Sequence, residues 1–397
     1  MSEGPLSARS DSIYRPTKRL RVESTPHGAG GDQRNAIRAG PNVFVAHTQP
    51  GFEGVAQSEL AAVAGGFRAL GRRIIPGRNG IILFAAGEPE SLNRLRAVED
   101  LFALVGYRRA LYSHLILEQA RGAARATPLI DPALSTRARM TPSPKGKRGH
   151  SFRVVVRIAG QQPFRRSDLQ RAVERGVLER TDHRWRLADD QEGAIEFWAT
   201  LIDRELFLAL RLSDRHLRHR EYQLSHRPAA LRPAVGAALA WLSEPRPQDI
   251  VMDPLCGTAT ILVERAHLAR HRLLLGADNS LDAICAAQAN LGPRHKPWQL
   301  ARWDATALAL RDRCIDKIVT NLPWGKKLGG REQNQRLYPR LLAEFRRVTK
   351  REGLIVILSG ETRLMAQLIR EMKFQRARSL PVQILGARAA VYVLRPW

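Results

Sequence analysis

Apolar positions along the chain fall into two regimes. Between residues 43 and about 210, short apolar runs alternate with single helical stripes. Val43-Phe44-Val45-Ala46 reads as a strand, and Phe52, Val55, Ala56, Leu60 and Val63 recur at helical spacing until Gly65-Gly66 stops them. A strand pair follows at 72–75 and 80–84 about the turn Pro76-Gly77-Arg78-Asn79; then Leu92, Leu95, Val98 and Leu101-Phe102 predict a second helix and 104–109 a strand. Residues 127–150, with four prolines and the run Lys145-Gly146-Lys147-Arg148, predict a loop. Strands at 151–156, 185–187, 194–201 and 205–210, with a helix ending near Glu179, make a second small α+β module. Beyond residue 233 an Ala-rich helix at 234–242 opens a run of apolar strands alternating with helices, the pattern of a doubly wound α/β sheet. Residues 1–40, rich in Ser, Gly, Pro and Arg, have no periodicity and predict a disordered basic tail.

Four of the late strands end in residues with chemical potential, at the sheet edge where open α/β folds bind ligands. Ile250-Val251-Met252 leads into Asp253-Pro254-Leu255-Cys256-Gly257-Thr258, a tight loop with a helix predicted to start at Thr258. Gly257 lets a ligand approach the backbone, and a helix start offers free N–H groups. The next strand, 273–277, delivers Asp278, about 20 positions on, where a carboxylate can accept from ribose hydroxyls; a third, 299–302, is followed by Asp304, which can accept from an adenine amino group. Any one of these Asp residues serves equally as a helix N-cap, whereas three at successive strand ends point to a nucleotide-like ligand. The absence of GxGxxG argues against NAD and FAD.

The fourth strand, 316–320, ends in Asn321-Leu322-Pro323-Trp324-Gly325. An exocyclic amine on a nucleobase is a poor nucleophile because its lone pair is delocalised into the ring. The Asn321 side-chain oxygen and the Leu322 main-chain carbonyl could draw the amine hydrogens aside and expose that lone pair to an electrophilic methyl. Trp324 could stack on the base, worth about 1 to 3 kcal/mol in nucleic-acid complexes. The competing account is a rigid turn with a packed Trp.

Composition adds a partner. Lys and Arg number 64 against 38 Asp and Glu, a formal net charge of +26, which suggests a polyanion such as nucleic acid, although an Arg-heavy basic set also follows from genome base composition. Lys145, Lys147, Arg148, Arg153, Arg165 and Arg166 flank the second module and are the candidate phosphate contacts. The three cysteines, at 256, 285 and 314, form no CxxC pair and sit near no His cluster, so neither a metal site nor a disulfide framework is expected. No run of about 18 apolar residues marks a membrane span, and no secretory signal opens the chain, so the expected setting is cytoplasmic.

The loop at 253–260 together with Asn321-Leu322-Pro323-Trp324-Gly325-Lys326-Lys327 resembles the THUMP-domain RNA methyltransferases that act on guanine N2, most closely their TrmN/Trm14-like tRNA branch. The turn Gln49-Pro50-Gly51-Phe52-Glu53 and the stretch 212–233 look like further landmarks, so the likeness covers about residues 42–397. It implies a ferredoxin-like domain at 41–112, a THUMP RNA-binding domain at 113–212, a linker at 213–232, and a Rossmann-like class I methyltransferase domain at 233–397. The last would hold a seven-stranded sheet closed by an antiparallel hairpin at 382–385 and 389–394 about Gly386. It further implies S-adenosylmethionine held by Asp253, Leu255, Cys256, Gly257, Thr258, Asp278, Asn279, Asp304 and Ala305 beside Asn321, with Asn321, Leu322, Pro323 and Trp324 on the target base. The expected substrate is a guanosine of the tRNA acceptor region, methylated without need of a small activating subunit; rRNA, or RNA binding without turnover, are the alternatives. Two positions depart from the family pattern: proline is common where Leu322 stands, and glycine where Ala259 stands.

Overall fold

The computed structural model describes residues 37–75, 77–128, 130–140, 150–188, 194–225, 230–325 and 330–396. The chain forms two compact units that divide between Arg218 and His219, inside the stretch expected to be a linker.

The first unit runs β1 (Val43–Thr48), α1 (Glu53–Val63), β2 (Arg68–Ile75), β3 (Asn79–Ala85), β4 (Asp100–Arg108), α2 (Ile116–Arg125), α3 (Ile130–Met140), β5 (Ser151–Ala159), α4 (Arg166–Arg180), β6 (Arg186–Leu187), β7 (Ile195–Ile202) and β8 (Glu205–Arg211). Its strands join in the order β2-β3-β1-β4-β8-β7-β5-β6. The two α+β modules therefore share one sheet, joined where β4 pairs antiparallel with β8. Leu101 to Val105 are buried on both faces, which is why this central strand reads as an unbroken apolar run.

Two expectations fail here for identifiable reasons. Leu92, Leu95 and Val98 are fully buried, yet only a 3₁₀ turn (Pro89–Arg94) forms, and Leu101-Phe102 belong to β4. The carboxylate of buried Glu59 accepts from the Arg96 and Ala97 amides at 2.7 and 2.8 Å, taking the place of helical carbonyls. Conversely α3 occupies part of the expected loop: Pro132 sits in its first turn, where a missing N–H costs nothing.

The second unit runs α5 (Pro233–Leu242), β9 (Ile250–Asp253), α6 (Thr260–Leu268), β10 (Leu273–Asp278), α7 (Leu281–Leu291), β11 (Trp298–Arg302), β12 (Ile315–Asn321), α8 (Arg331–Val348), β13 (Thr349–Ser359), α9 (Thr362–Glu371), β14 (Gln375–Ile384) and β15 (Ala387–Arg395). Its seven strands lie in the order β11-β10-β9-β12-β13-β15-β14, parallel from β11 to β13, with β15 antiparallel to both its neighbours. The chain winds one way from β9 to β11 and the other way from β12 to β13. Right-handed crossovers then place α6 and α7 on one face and α8 on the other.

Tyr338, Leu341, Leu342 and Phe345 of α8 and Met365 and Leu368 of α9 pack against Ile318, Ile355 and Ile357 of the sheet. Each fully buried large apolar side chain contributes about 1.5 to 3 kcal/mol. The winding reverses between β9 and β12, so the crevice at their C-terminal ends is the topological switch point. Asp253 ends one of those strands and Asn321 the other. The terminal hairpin turns at Leu385 and Gly386, both with positive φ, as a two-residue turn matched to strand twist requires.

Candidate active site at the switch point

The first loop is built from main-chain amides. Leu255 N–H donates to Asp253 Oδ1 at 3.2 Å, Cys256 N–H to the Ala277 carbonyl at 2.8 Å, and Gly257 N–H to Asp278 Oδ2 at 3.0 Å. Asp278 also accepts from Ser280 N–H at 3.0 Å, and Ser280 itself caps α7, so Asp278 clamps two strand ends rather than capping a helix. Gly257 has φ +52°, and a β-carbon there would meet nothing within 4 Å, leaving open space against the backbone. Gly276 is required for the opposite reason: a β-carbon would lie 2.5 Å from Leu300 and 3.2 Å from Cys256 Sγ.

The helix starts later than expected, at Thr260, with Ala259 as its N-cap at φ 60°, ψ 22°. Thr258 is buried, and its carbonyl accepts from Asn290 Nδ2 at 3.0 Å. Asn290 also exchanges hydrogen bonds with the Ser225 main chain, at 3.0 Å from its amide and 3.2 Å to its carbonyl. The segment after His219 is thereby tied to the first loop.

Asp253 is only 1% exposed, and burial pushes its pKa up to about 7; Asp278 adds to the rise, while the Thr320 hydroxyl and the Leu255 amide oppose it. Burial, with Asp253 and Asp278 nearby, also raises the Cys256 thiol well above its ordinary value, so it is no thiolate nucleophile. Asp304 stands apart. It is exposed, and its Oδ1 accepts from the Thr306 amide and hydroxyl, both at 2.8 Å, which hold its carboxyl below the usual range. Ala305 is buried behind it, and Asn279 is exposed with its carbonyl taking Arg302 Nε at 3.0 Å.

The second loop is held by side chains. Pro323 O accepts from Tyr338 Oη at 2.7 Å and Asn334 Nδ2 at 3.2 Å, and Tyr338 Oη meets Ser359 Oγ at 2.9 Å. Burial raises the Tyr338 phenol further, so it stays protonated. Leu322 is fully buried and its N–H donates to the Leu358 carbonyl at 3.0 Å, a rung that proline would lack. Half-buried Trp324 lies on Gly360, where a β-carbon would stand 3.0 Å from the ring, and its Nε1–H donates to Asn321 Oδ1 at 3.0 Å. The Asn321 oxygen expected to await an amine thus already has one partner.

Tyr338, Ser359, Gly360, Asn334 and Asn290 were missed by sequence reasoning. Ser359-Gly360 follow an apolar strand, the same signal that marked Asp253 and Asn321. The other three lie on helices with nothing local to distinguish them.

In the first unit, Lys145, Lys147 and Arg148 lie outside the described residues. Arg165 and Arg166 are exposed at the start of α4, whereas Arg153 is ion-paired with Glu196. Arg157, which sequence reasoning passed over, stacks over Trp198 at 4.7 Å, and burial together with Arg78, Arg218 and Arg166 lowers its pKa.

A parallel sheet with an antiparallel last strand, and ligand loops at its switch point, defines the second unit as a class I Rossmann-like methyltransferase domain. Residues 220–390 match the family model described as the RMKL-like methyltransferase domain. The human tRNA (guanine(6)-N(2))-methyltransferase THUMP3 is 31% identical over 259 residues, 61% of this chain and 50% of that protein. The tRNA (guanine(6)-N2)-methyltransferase of Thermus thermophilus is 30% identical over 238 residues, 57% of this chain and 67% of that one. The crystal structure of TrmN from Thermus thermophilus shares the fold, with TM-score 0.72 at 24% identity over 89% of this chain and 99% of that one. The chain belongs to the THUMP-type guanine-N2 methyltransferase family. It spans about half the length of the mammalian THUMP3 relatives it matches.

Proposed function

We propose that the chain transfers a methyl group from S-adenosylmethionine to the N2 amine of a guanosine in tRNA. The observation that carries this is the adjacency of two strand-end loops at one switch point, one lined by carboxylates and open backbone, the other presenting an amide oxygen beside an indole. The carboxylate set suits S-adenosylmethionine, which supplies an electrophilic methyl when bound. Asp278 would accept from its ribose hydroxyls, Asp304 with Ala305 would meet the adenine, and the space beside Gly257 would admit the methionine part. Leu255, Cys256, Thr258 and Asn279 complete the proposed lining.

Asn321 and the Leu322 carbonyl would accept the amine hydrogens of a base extruded from its stack, with Trp324 supporting the ring. Positioning of this kind supplies much of the rate. The relatives' names specify guanine 6 of tRNA, and we assign the same target to this chain, in keeping with the acceptor-region substrate expected from the sequence. The exposed Arg165 and Arg166, with Arg78, Arg166 and Arg218 each close enough to Arg157 to help lower its pKa, suit contacts to RNA phosphates.

The test is incubation of the chain alone with methyl-labelled cofactor and separated tRNA and rRNA pools, followed by nucleoside analysis. Label is expected as N2-methylguanosine in tRNA; label confined to rRNA sinks the tRNA assignment. Asn321→Ala should lower turnover at least about a hundredfold, the scale of losing a positioned polar group in an active site, while cofactor affinity holds within about threefold.

A further inference from the structure

Trp324 has a second use besides offering a face to the base. The end of an Asn side chain carries one acceptor and one donor, and the two are easily exchanged by rotation. Methylation as proposed above needs the oxygen toward the amine. With the amide reversed, Nδ2–H would confront N2–H, donor against donor, and the amine would be repelled. Nothing in an isolated Asn321 selects between these orientations. The Trp324 indole does, because an indole N–H can only donate, and it stands 3.0 Å from Oδ1. That oxygen has two lone pairs, so one remains for the substrate.

The indole is itself held in place. Gly360 lies against the ring so closely that a β-carbon would stand 3.0 Å from Cδ2 and Cε3. The preceding backbone is fixed by the Leu322 amide on Leu358 and by Tyr338 and Asn334 on the Pro323 carbonyl. We propose that Trp324 is a positioning residue whose indole N–H sets which end of the Asn321 amide faces the target amine. This rests on the guanine-N2 methyltransferase reading of the site.

A carboxylate has two equivalent oxygens and needs no such selection, which supplies the test. Single-turnover methylation rates and RNA affinities are measured for the wild type, Trp324→Phe, Asn321→Asp and the double variant. Phenylalanine keeps a stacking ring and removes only the donor. Trp324→Phe is expected to slow the wild-type background about tenfold, the worth of one hydrogen bond, but to slow the Asn321→Asp background less than about twofold. Any loss of RNA affinity from weaker stacking should be the same in both backgrounds. Equal rate losses in the two backgrounds would mean that Trp324 acts by stacking alone and would overturn the proposal.

Should Asn321→Asp lack a measurable rate, the indole proton decides. In the protein without RNA or cofactor, Trp324 Nε1–H should exchange with solvent about tenfold more slowly in wild type than in Asn321→Ala, and equal exchange overturns the proposal. A wild type that methylates no guanine N2 would refute the functional reading instead, while the exchange measurement would still report on the bond.

Discussion

The two loops at the switch point are made in different ways. The loop after β9 is held through its own backbone, by amides donating to Asp253 and, on neighbouring β10, to Asp278 and the Ala277 carbonyl, and its key carboxyl is almost wholly buried. The loop after β12 is held from behind, by Tyr338 and Asn334 on α8 and through Tyr338 by Ser359 on β13, while Asn321 and Trp324 stay half-exposed. On the proposed function, the loop for the methyl donor is built as backbone geometry and the loop for the target base as a braced pair of side chains. The first should then be sensitive to charge and to φ, the second to the loss of single side-chain braces.

The largest effect is expected at Asp253. Its pKa of about 7 in the fold stands above the ordinary 3.8, so the folded state retains a proton that the unfolded chain releases. The resulting stabilisation is fully present below about pH 4 and is lost as pH rises through about 7. Asp253→Asn should flatten the fall in Tm between those values and raise Tm at pH 8, and at pH 8, where the carboxylate is ionised, it should weaken cofactor binding about tenfold or more through loss of a charged acceptor. An unchanged pH slope would remove buried charge as the distinguishing mark of the first loop. Next, Tyr338→Phe takes away one of two donors to the Pro323 carbonyl and one of two hydrogen-bond partners of Ser359 Oγ, the other being the Glu361 amide. It should cost about 1 to 2 kcal/mol in denaturant unfolding and lower kcat more than cofactor affinity; an intact kcat would mean the second loop needs no brace. The smallest effect concerns Ala259, a non-glycine residue at φ 60°. Left-handed backbone costs an L-residue about 1 to 2 kcal/mol, partly offset by the flexibility glycine brings to the unfolded chain, so Ala259→Gly should raise the unfolding free energy by at most about 1 kcal/mol, read as a higher denaturant midpoint at an unchanged m-value.

The doubly wound sheet was legible because most of its strands carry an apolar run bounded by a loop, β11 (Trp298–Arg302) and the polar first half of β14 (Gln375–Ile384) being the exceptions, and the reversal of winding follows from handedness once the strands are placed. Asp253, Asp278 and Asn321 were legible as strand-end polar residues. The departure at Ala259 was visible in the sequence, but its left-handed backbone was not. Nor could sequence show that Asp304 stands apart from the other two carboxylates, since its environment is set by Thr306 and exposure rather than by position. Glu59 hid the irregular path of 92–99, because a carboxylate 37 positions away supplies the acceptors that helical periodicity would otherwise predict. The join of the two small modules into one sheet was equally invisible, as β4 and β8 are about a hundred residues apart and pairing partners leave no local mark.

Asn290 links pieces of chain that lie far apart in sequence: Ser225 is 65 positions before it and Thr258 is 32. The strand-loop-helix segment at 250–268 therefore does not finish its own ligand loop. The bond from Asn290 to the Thr258 carbonyl can form only once α7 has come back to the loop after β9, across 32 positions of chain. Closing so large a loop is slow compared with forming the helix beside it. Affinity for the methyl donor should emerge late in refolding, well after helical signal has recovered, with Asn290 as its timekeeper.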